Sequence, residues 1–130
     1  MKRFSIVLMA TALVSGLSMF DLPAAAADDA ACGDKGQPMC PLQGWMDKNV
    51  QVPMEKGDLK AVAKAMKKAA GFAPDPKWNE GDKGWKKLAE EAAKVAESGD
   101  VKATKKACKT CHKAWRKKYK GEFRTRPVKG

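Results

Sequence analysis

A Cys-x-x-Cys-His run near the C-terminus, Cys108-Lys109-Thr110-Cys111-His112, constrains the fold more than any other feature of the chain. It has the pattern by which haem c is attached, with two thiols forming thioether bonds and the histidine binding iron. On a helix the three side chains are spaced i, i+3 and i+4, so they share one face. The motif predicts one covalent haem c bound by Cys108, Cys111 and His112.

Two alternatives use the same residues. A zinc site could take its ligands from Cys32, Cys40, Cys108 and either Cys111 or His112. The chain could also end in an ordinary helix that carries two free cysteines. Haem is favoured because the chain also has an export signal, a helical periodicity and an even number of cysteines outside the motif, and all three agree with it.

The first 27 residues have the pattern of a cleaved signal peptide. Lys2 and Arg3 form a positive n-region, residues 4–20 an apolar h-region, and residues 24–27 an A-x-A-like cleavage site. A membrane anchor is the alternative, but Asp21 and nearby polar residues interrupt the apolar run. We therefore expect one exported domain, residues 28–130, in a bacterial periplasm, where disulfides persist.

The chain is strongly basic, and this indicates its partners. Cleavage removes two cations and one anion, so the net charge falls from +11 to +10. Such a protein is steered toward acidic redox partners or anionic membrane surfaces. Nucleic acid is not an expected partner, because an exported chain rarely meets it.

Hydrophobic periodicity predicts four amphipathic helices, at residues 42–56, 59–70, 78–98 and 101–120. Pro53 should kink or end the first helix, and glycines should delay the firm part of the third to near Asp82. No strand pattern is present. Short connections between the helices predict an all-α antiparallel four-helix bundle, with the haem near its C-terminal helix.

Cys32 and Cys40 are the only cysteines outside the motif. Their even number in an oxidising compartment predicts a disulfide between them. The bond would close a loop of about nine residues and contribute about 2–3 kcal/mol. A redox-active pair or a metal site is the weaker alternative, because no histidine accompanies them.

The arrangement resembles class II cytochromes c, the cytochrome c′ and cytochrome c556 family. The resemblance rests on Trp78, Trp85, Gly99-Asp100 and the run from Cys108 to Arg116. In that family an aromatic residue and an arginine follow the histidine by three and four positions. The resemblance therefore implies that Trp115 faces or covers the haem and that Arg116 lies near His112 or a propionate. Core packing and a solvated arginine are the simpler interpretations of these two residues.

The sixth iron ligand decides the chemistry. His112 is the only histidine, which leaves a methionine, a lysine, water or an empty position within one chain. Cytochrome c556-like relatives use a methionine of the first helix, which implies Met46 here. The other candidates, in order, are Met54 and then Met39 or Met66. Methionine ligation suits electron transfer, although methionine more commonly fills a core.

An empty sixth position would instead suit a cytochrome c′-like protein that binds NO or CO. Leu42, Trp45 and Val50 could line the apolar pocket that such a site needs. A third possibility is a bundle that serves as a structural or interaction unit.

The favoured function is periplasmic electron transfer by a monohaem cytochrome, and no catalytic arrangement predicts an enzyme. Relatives often dimerise through their first two helices, so we expect a monomer or a homodimer.

Overall fold

The computed structural model describes residues 31–129, which form helices and turns and contain no strand. The α-helices are α1 (Pro41–Met46), α2 (Val52–Glu55), α3 (Leu59–Ala69), α4 (Trp85–Glu97) and α5 (Val101–Glu122). The predicted all-α class is confirmed for this part of the chain. None of its helices is both long enough and apolar enough to cross a membrane. The predicted signal peptide, residues 1–27, lies outside the described residues.

The π-helical turn Asp47–Gln51 joins α1 to α2, and we call this continuous segment, residues 41–55, the first rod. The chain stays helical through Pro53, so the first helix does not end at this residue. The irregularity falls just before it, where the Val52 N–H donates to the Asp47 carbonyl five residues back. A proline inside a helix collides with the preceding turn, and a widened turn relieves that collision. The first rod, α3, α4 and α5 make four helical segments, a number compatible with a helical bundle.

The core lies mainly between α3 and α4, which pack extensively on each other, and α4 packs in turn on α5. Small side chains let α4 approach both neighbours closely. The alanines of α4 that are almost fully buried are Ala89, Ala92, Ala93 and Ala96. The Trp85 indole donates to the Ala69 carbonyl at 2.7 Å, which satisfies a carbonyl at the end of α3.

The connection between α3 and α4 departs from the predicted third helix. Pro76–Asn79 form a short 3₁₀ turn, and α4 begins only at Trp85 rather than near Asp82. Gly81 takes a φ of +73°, a left-handed conformation that a helix cannot contain. The predicted helix therefore loses its first turns to a tight loop that brings Trp78 back into the core.

The last helix, α5, is 22 residues long and begins at a well-formed cap. The Asp100 carboxylate accepts a hydrogen bond from the Ala103 N–H at 2.9 Å. Beyond Glu122 the chain turns back over the fold, where the Arg126 guanidinium donates to the Phe72 carbonyl at 2.9 Å. The tail thereby ties the end of α5 to the end of α3.

Candidate functional site

The Cys-x-x-Cys-His motif lies in the regular middle part of α5. Cys108 and Cys111 are half-buried free thiols, while His112 is exposed. All three side chains line the same cleft. The spacing of the motif thus presents the two thiols and the imidazole on one wall, as helical geometry requires.

The cleft has a volume of about 800 Å³ and opens between α5 and the first rod. These two segments are not among the helix pairs that pack extensively. The floor between them is formed by Met66 and Ala69 of α3 and by Trp85 and Ala89 of α4. Pockets for cofactors measure roughly 300–1,000 Å³ and are mostly apolar. The cleft is therefore large enough, and apolar enough at its floor, to hold a flat cofactor.

The wall opposite the motif and the floor of the cleft carry thioethers. All four candidate methionines, Met39, Met46, Met54 and Met66, line the cleft. Met54 and Met66 are buried at 8% and 4% exposure, and Met39 is 53% exposed. Met46 is half-buried on α1, between these extremes. Because all four methionines line the cleft, their positions do not identify the sixth iron ligand. The preference for Met46 still comes from the family resemblance.

The apolar pocket predicted for an open site is present in part. Leu42 and Val50 line the cleft, but Trp45 does not. The Trp45 ring packs edge-on against Phe72, with ring centroids 4.8 Å apart. Its placement in the pocket is a wrong prediction, because rotation about the helix axis turns Trp45 away from the side of Met46 and Val50 and toward Phe72.

Trp115 lies at the boundary between the cleft and the core. It lines the cleft, and its ring stacks on Trp78 with centroids 4.5 Å apart. Its indole N–H donates to the Lys83 carbonyl at 2.9 Å. The two roles considered for Trp115, facing the cofactor and packing the core, are therefore compatible in one conformation.

Arg116 is exposed and also lines the cleft, one helical turn beyond His112. No acidic group pairs with it within residues 31–129. Its guanidinium is free to meet an anionic group at the mouth of the cleft.

Partial desolvation at the cleft shifts the pKa of each of the three side chains of the motif. Desolvation raises the pKa of the Cys108 thiol, and it raises that of Cys111 to about 11, with the neighbouring Cys108 adding to the rise. Desolvation also lowers the pKa of His112, and the positive charge of Arg116 lowers it further. At neutral pH the imidazole is neutral, with a lone pair on one ring nitrogen, which is the form that binds a metal ion.

An aromatic cluster behind the cleft was not foreseen as part of the site. Trp78 contacts Trp115, Trp85, Tyr119 and Phe123 with ring centroids 4.5–6.3 Å apart. Tyr119 shares the motif face of α5 and also lines the cleft. Its position on that face was visible in the sequence, whereas its meeting with Trp78 depends on the loop before α4.

The remaining cysteine pair supports the predicted disulfide. Cys32 and Cys40 lie at disulfide-bonding distance, with Cα atoms 4.9 Å apart. The zinc alternative needed both of these thiols as ligands together with the motif. Within the described part of the chain, no three histidine, cysteine or acidic side chains come together as a metal site would require.

Over residues 31–129 these features define an all-helical fold with a cofactor-sized cleft and a Cys-x-x-Cys-His motif on its wall. The residues present suit a haem, since they offer thiols to attach it, an imidazole and thioethers to ligate it, and an apolar floor. No protein-family model, curated protein or solved structure matches the chain. A family assignment therefore rests on the chain's own residues.

Proposed function

We propose that this chain is an exported monohaem c-type cytochrome, similar to class II cytochromes c, that carries electrons in the periplasm. One observation carries the proposal: the attachment motif lies on one wall of an 800 Å³ cleft, and thioethers lie on the facing wall. A six-coordinate haem iron needs two protein ligands, and the two walls of the cleft could supply one each. Residues 1–27 would act as the signal peptide and residues 28–130 as the cytochrome domain.

In this proposal each residue has a separate task. Cys108 and Cys111 hold the cofactor covalently, His112 ligates the iron from α5, and Met46 ligates it from the first rod. Trp115 packs beside the ring and Arg116 meets a propionate. Haem c supplies reversible one-electron chemistry when it is bound. The chain's contribution is to hold the ligands on rigid helices, so that few atoms move when the charge changes.

The α5 side of the cleft is the more firmly held. Asp100 caps α5 and Tyr119 anchors its later turns in the core. The first rod is less constrained, because it contacts α3 mainly through the π-helical turn and α2. Ligation by a methionine would tie this rod to α5 across the cleft. We expect the haem to complete the bundle by filling the cleft between α5 and the first rod.

The second candidate function is binding of a small gas such as NO or CO at an open sixth position. Leu42 and Val50 favour it, because they give the distal wall apolar side chains beside Met46. In this case the methionines act as core residues and the iron keeps a free position.

An absorption spectrum of the mature protein, oxidised and then reduced, tests the proposal. The protein is produced with the haem-attachment machinery and is then exposed to CO. Sharp low-spin bands that ignore CO support the electron carrier, whereas high-spin bands that shift with CO support gas binding. Absence of c-type haem bands refutes both.

A set of variants identifies the ligand. Met46→Ala should abolish the weak ferric charge-transfer band of methionine ligation and open the iron to CO. Met39→Ala is the matched control, since it removes an exposed thioether from the same cleft and should leave that band intact. If the band survives Met46→Ala but disappears in Met54→Ala or Met66→Ala, the assignment moves to that residue.

A further inference from the structure

One side of α5 carries positive charge alone. We call it the α5 ridge, and its members are Lys102, Lys105, Lys106, Lys109, Lys113, Arg116, Lys117 and Lys120. At 3.6 residues per turn these positions fall within about 120° of the helix circumference, and no other residue type shares that sector. All eight are exposed. At 1.5 Å per residue the ridge is about 27 Å long.

Within residues 31–129, no acidic side chain forms an ion pair with the ridge. The ion pairs within the described residues engage Lys67, Lys86, Lys87 and Arg124, none of which belongs to the ridge. The only acidic residue of α5 is Glu122, at its last position. Like charges three and four residues apart repel and weaken a helix. An external anionic surface would relieve this repulsion.

We propose that the α5 ridge binds the face of an anionic lipid membrane. A straight row of lysines matches a planar layer of diffuse negative charge, and each such cation contributes to binding independently. A protein interface would instead need aromatic residues, methionine or arginine at its centre, and lysine is depleted there. The ridge has seven lysines, one arginine and no aromatic residue.

The mode of binding follows from the other side of α5. Cys108, Cys111, Trp115 and Tyr119 are turned toward the cleft and the core, so α5 has no free apolar face to insert among acyl chains. The protein would therefore lie on the membrane surface by charge alone. Binding should weaken steeply as salt screens the charges.

The ridge also borders the cleft. Four of its residues, Lys105, Lys109, Arg116 and Lys120, line the cleft mouth. A membrane held against the ridge would thus lie beside the opening between α5 and the first rod. A role in electron exchange with membrane-bound partners rests on the proposed function, whereas the binding itself does not depend on the haem.

The test is flotation of the mature protein with vesicles of phosphatidylcholine, with and without phosphatidylglycerol. The ridge variant is Lys106→Gln/Lys113→Gln/Lys117→Gln. The matched control is Lys60→Gln/Lys64→Gln/Lys68→Gln, which removes the same charge from exposed positions of α3. At about 1 kcal/mol per lysine, the ridge variant should bind phosphatidylglycerol vesicles on the order of 100-fold more weakly. The control should stay within a few-fold of the unmodified protein.

Three results would overturn the inference. The protein could fail to prefer phosphatidylglycerol vesicles at low salt, which would leave an acidic protein as the partner of the ridge. Both variants could lose binding equally, which would assign the effect to net charge. Binding could also survive high salt, which would indicate insertion. A failure of the proposed function is separate, because it would appear as missing haem bands while vesicle binding persists.

Discussion

Replacing Gly84 by alanine should destabilise the protein through one close backbone contact. A Cβ at this position would lie 2.5 Å from the carbonyl oxygen and 2.8 Å from the carbonyl carbon of Asn79. The glycine has φ −56° and ψ 142°, which alanine adopts without strain. The effect of the substitution is therefore steric rather than conformational.

Asn79 cannot move away freely. Its side-chain oxygen accepts a hydrogen bond from the Lys86 N–H at 3.1 Å, which caps α4. Its neighbour Trp78 is buried at 4% exposure. Overpacking a rigid site costs about 1–3 kcal/mol, and the lower entropy of the unfolded alanine chain offsets about 0.4–1 kcal/mol of that. We expect a net loss of about 1–2 kcal/mol in the free energy of unfolding, combining these terms.

The change should also reach the cleft. The residue before Gly84, Lys83, accepts the hydrogen bond from the Trp115 indole at 2.9 Å. A displaced loop would weaken that bond and loosen Trp115 on the cleft wall. Losing one such hydrogen bond adds about 1 kcal/mol to the destabilisation.

Urea unfolding followed by far-UV circular dichroism measures the effect. Gly71→Ala is the matched control, because a Cβ there meets nothing within 4 Å and the residue is exposed. This control should be neutral or stabilised by up to about 1 kcal/mol. If Gly84→Ala unfolds within about 0.5 kcal/mol of the unmodified protein, the size of a neutral surface change, the loop is softer than its contacts indicate and our reasoning is refuted.

Three further predictions concern the Tyr119 hydroxyl, the Cys32–Cys40 disulfide and the Asp100 cap of α5. No group in the described structure lies in good hydrogen-bonding geometry with the buried Tyr119 hydroxyl, and burial raises the pKa of Tyr119 although the nearby Arg126 guanidinium opposes the rise. The unfolded chain therefore ionises this phenol first, and stability that is complete below about pH 10 falls as the pH rises toward the folded pKa. Tyr119→Phe should keep full stability at neutral pH and show a shallower alkaline loss in thermal melts; an unchanged alkaline slope would contradict the assignment. Opening the Cys32–Cys40 pair with a reductant should cost about 2–3 kcal/mol in urea unfolding, and the double variant Cys32→Ser/Cys40→Ser should then be insensitive to reductant. Asp100→Ala should cost about 1 kcal/mol and Asp100→Ser much less; equal losses would show that the cap does not stabilise α5.

The limits of α3 and α5 could be predicted from the sequence because their signals are local. Asp58 and Asp100 each accept a hydrogen bond from an N–H three residues ahead, which is a cap that the residue type itself favours. The apolar residues that follow have a helical period, so the buried stripe is also visible in the sequence. Such features involve one turn of chain and depend little on the rest of the fold.

The first rod and the start of α4 could not be predicted as well. Pro53 usually ends or kinks a helix, yet here a π-helical turn accommodates it. The late start of α4 follows from the close approach of Gly84 to Asn79, which packing of Trp78 into the core imposes. Each outcome depends on contacts between elements that a periodic pattern does not contain.

By itself the sequence determined that Cys108, Cys111 and His112 would share one helical face, because that geometry arises within a single turn. It also determined the charge of the α5 ridge, because the period of a single helix places those residues on one side. Only the tertiary structure decided that a cleft would separate α5 from the first rod, that four methionines would line it, and that Trp45 would turn away from it. Those facts depend on how segments distant in the chain pack together, as the contacts of Trp78 with Trp85 and Trp115 also do.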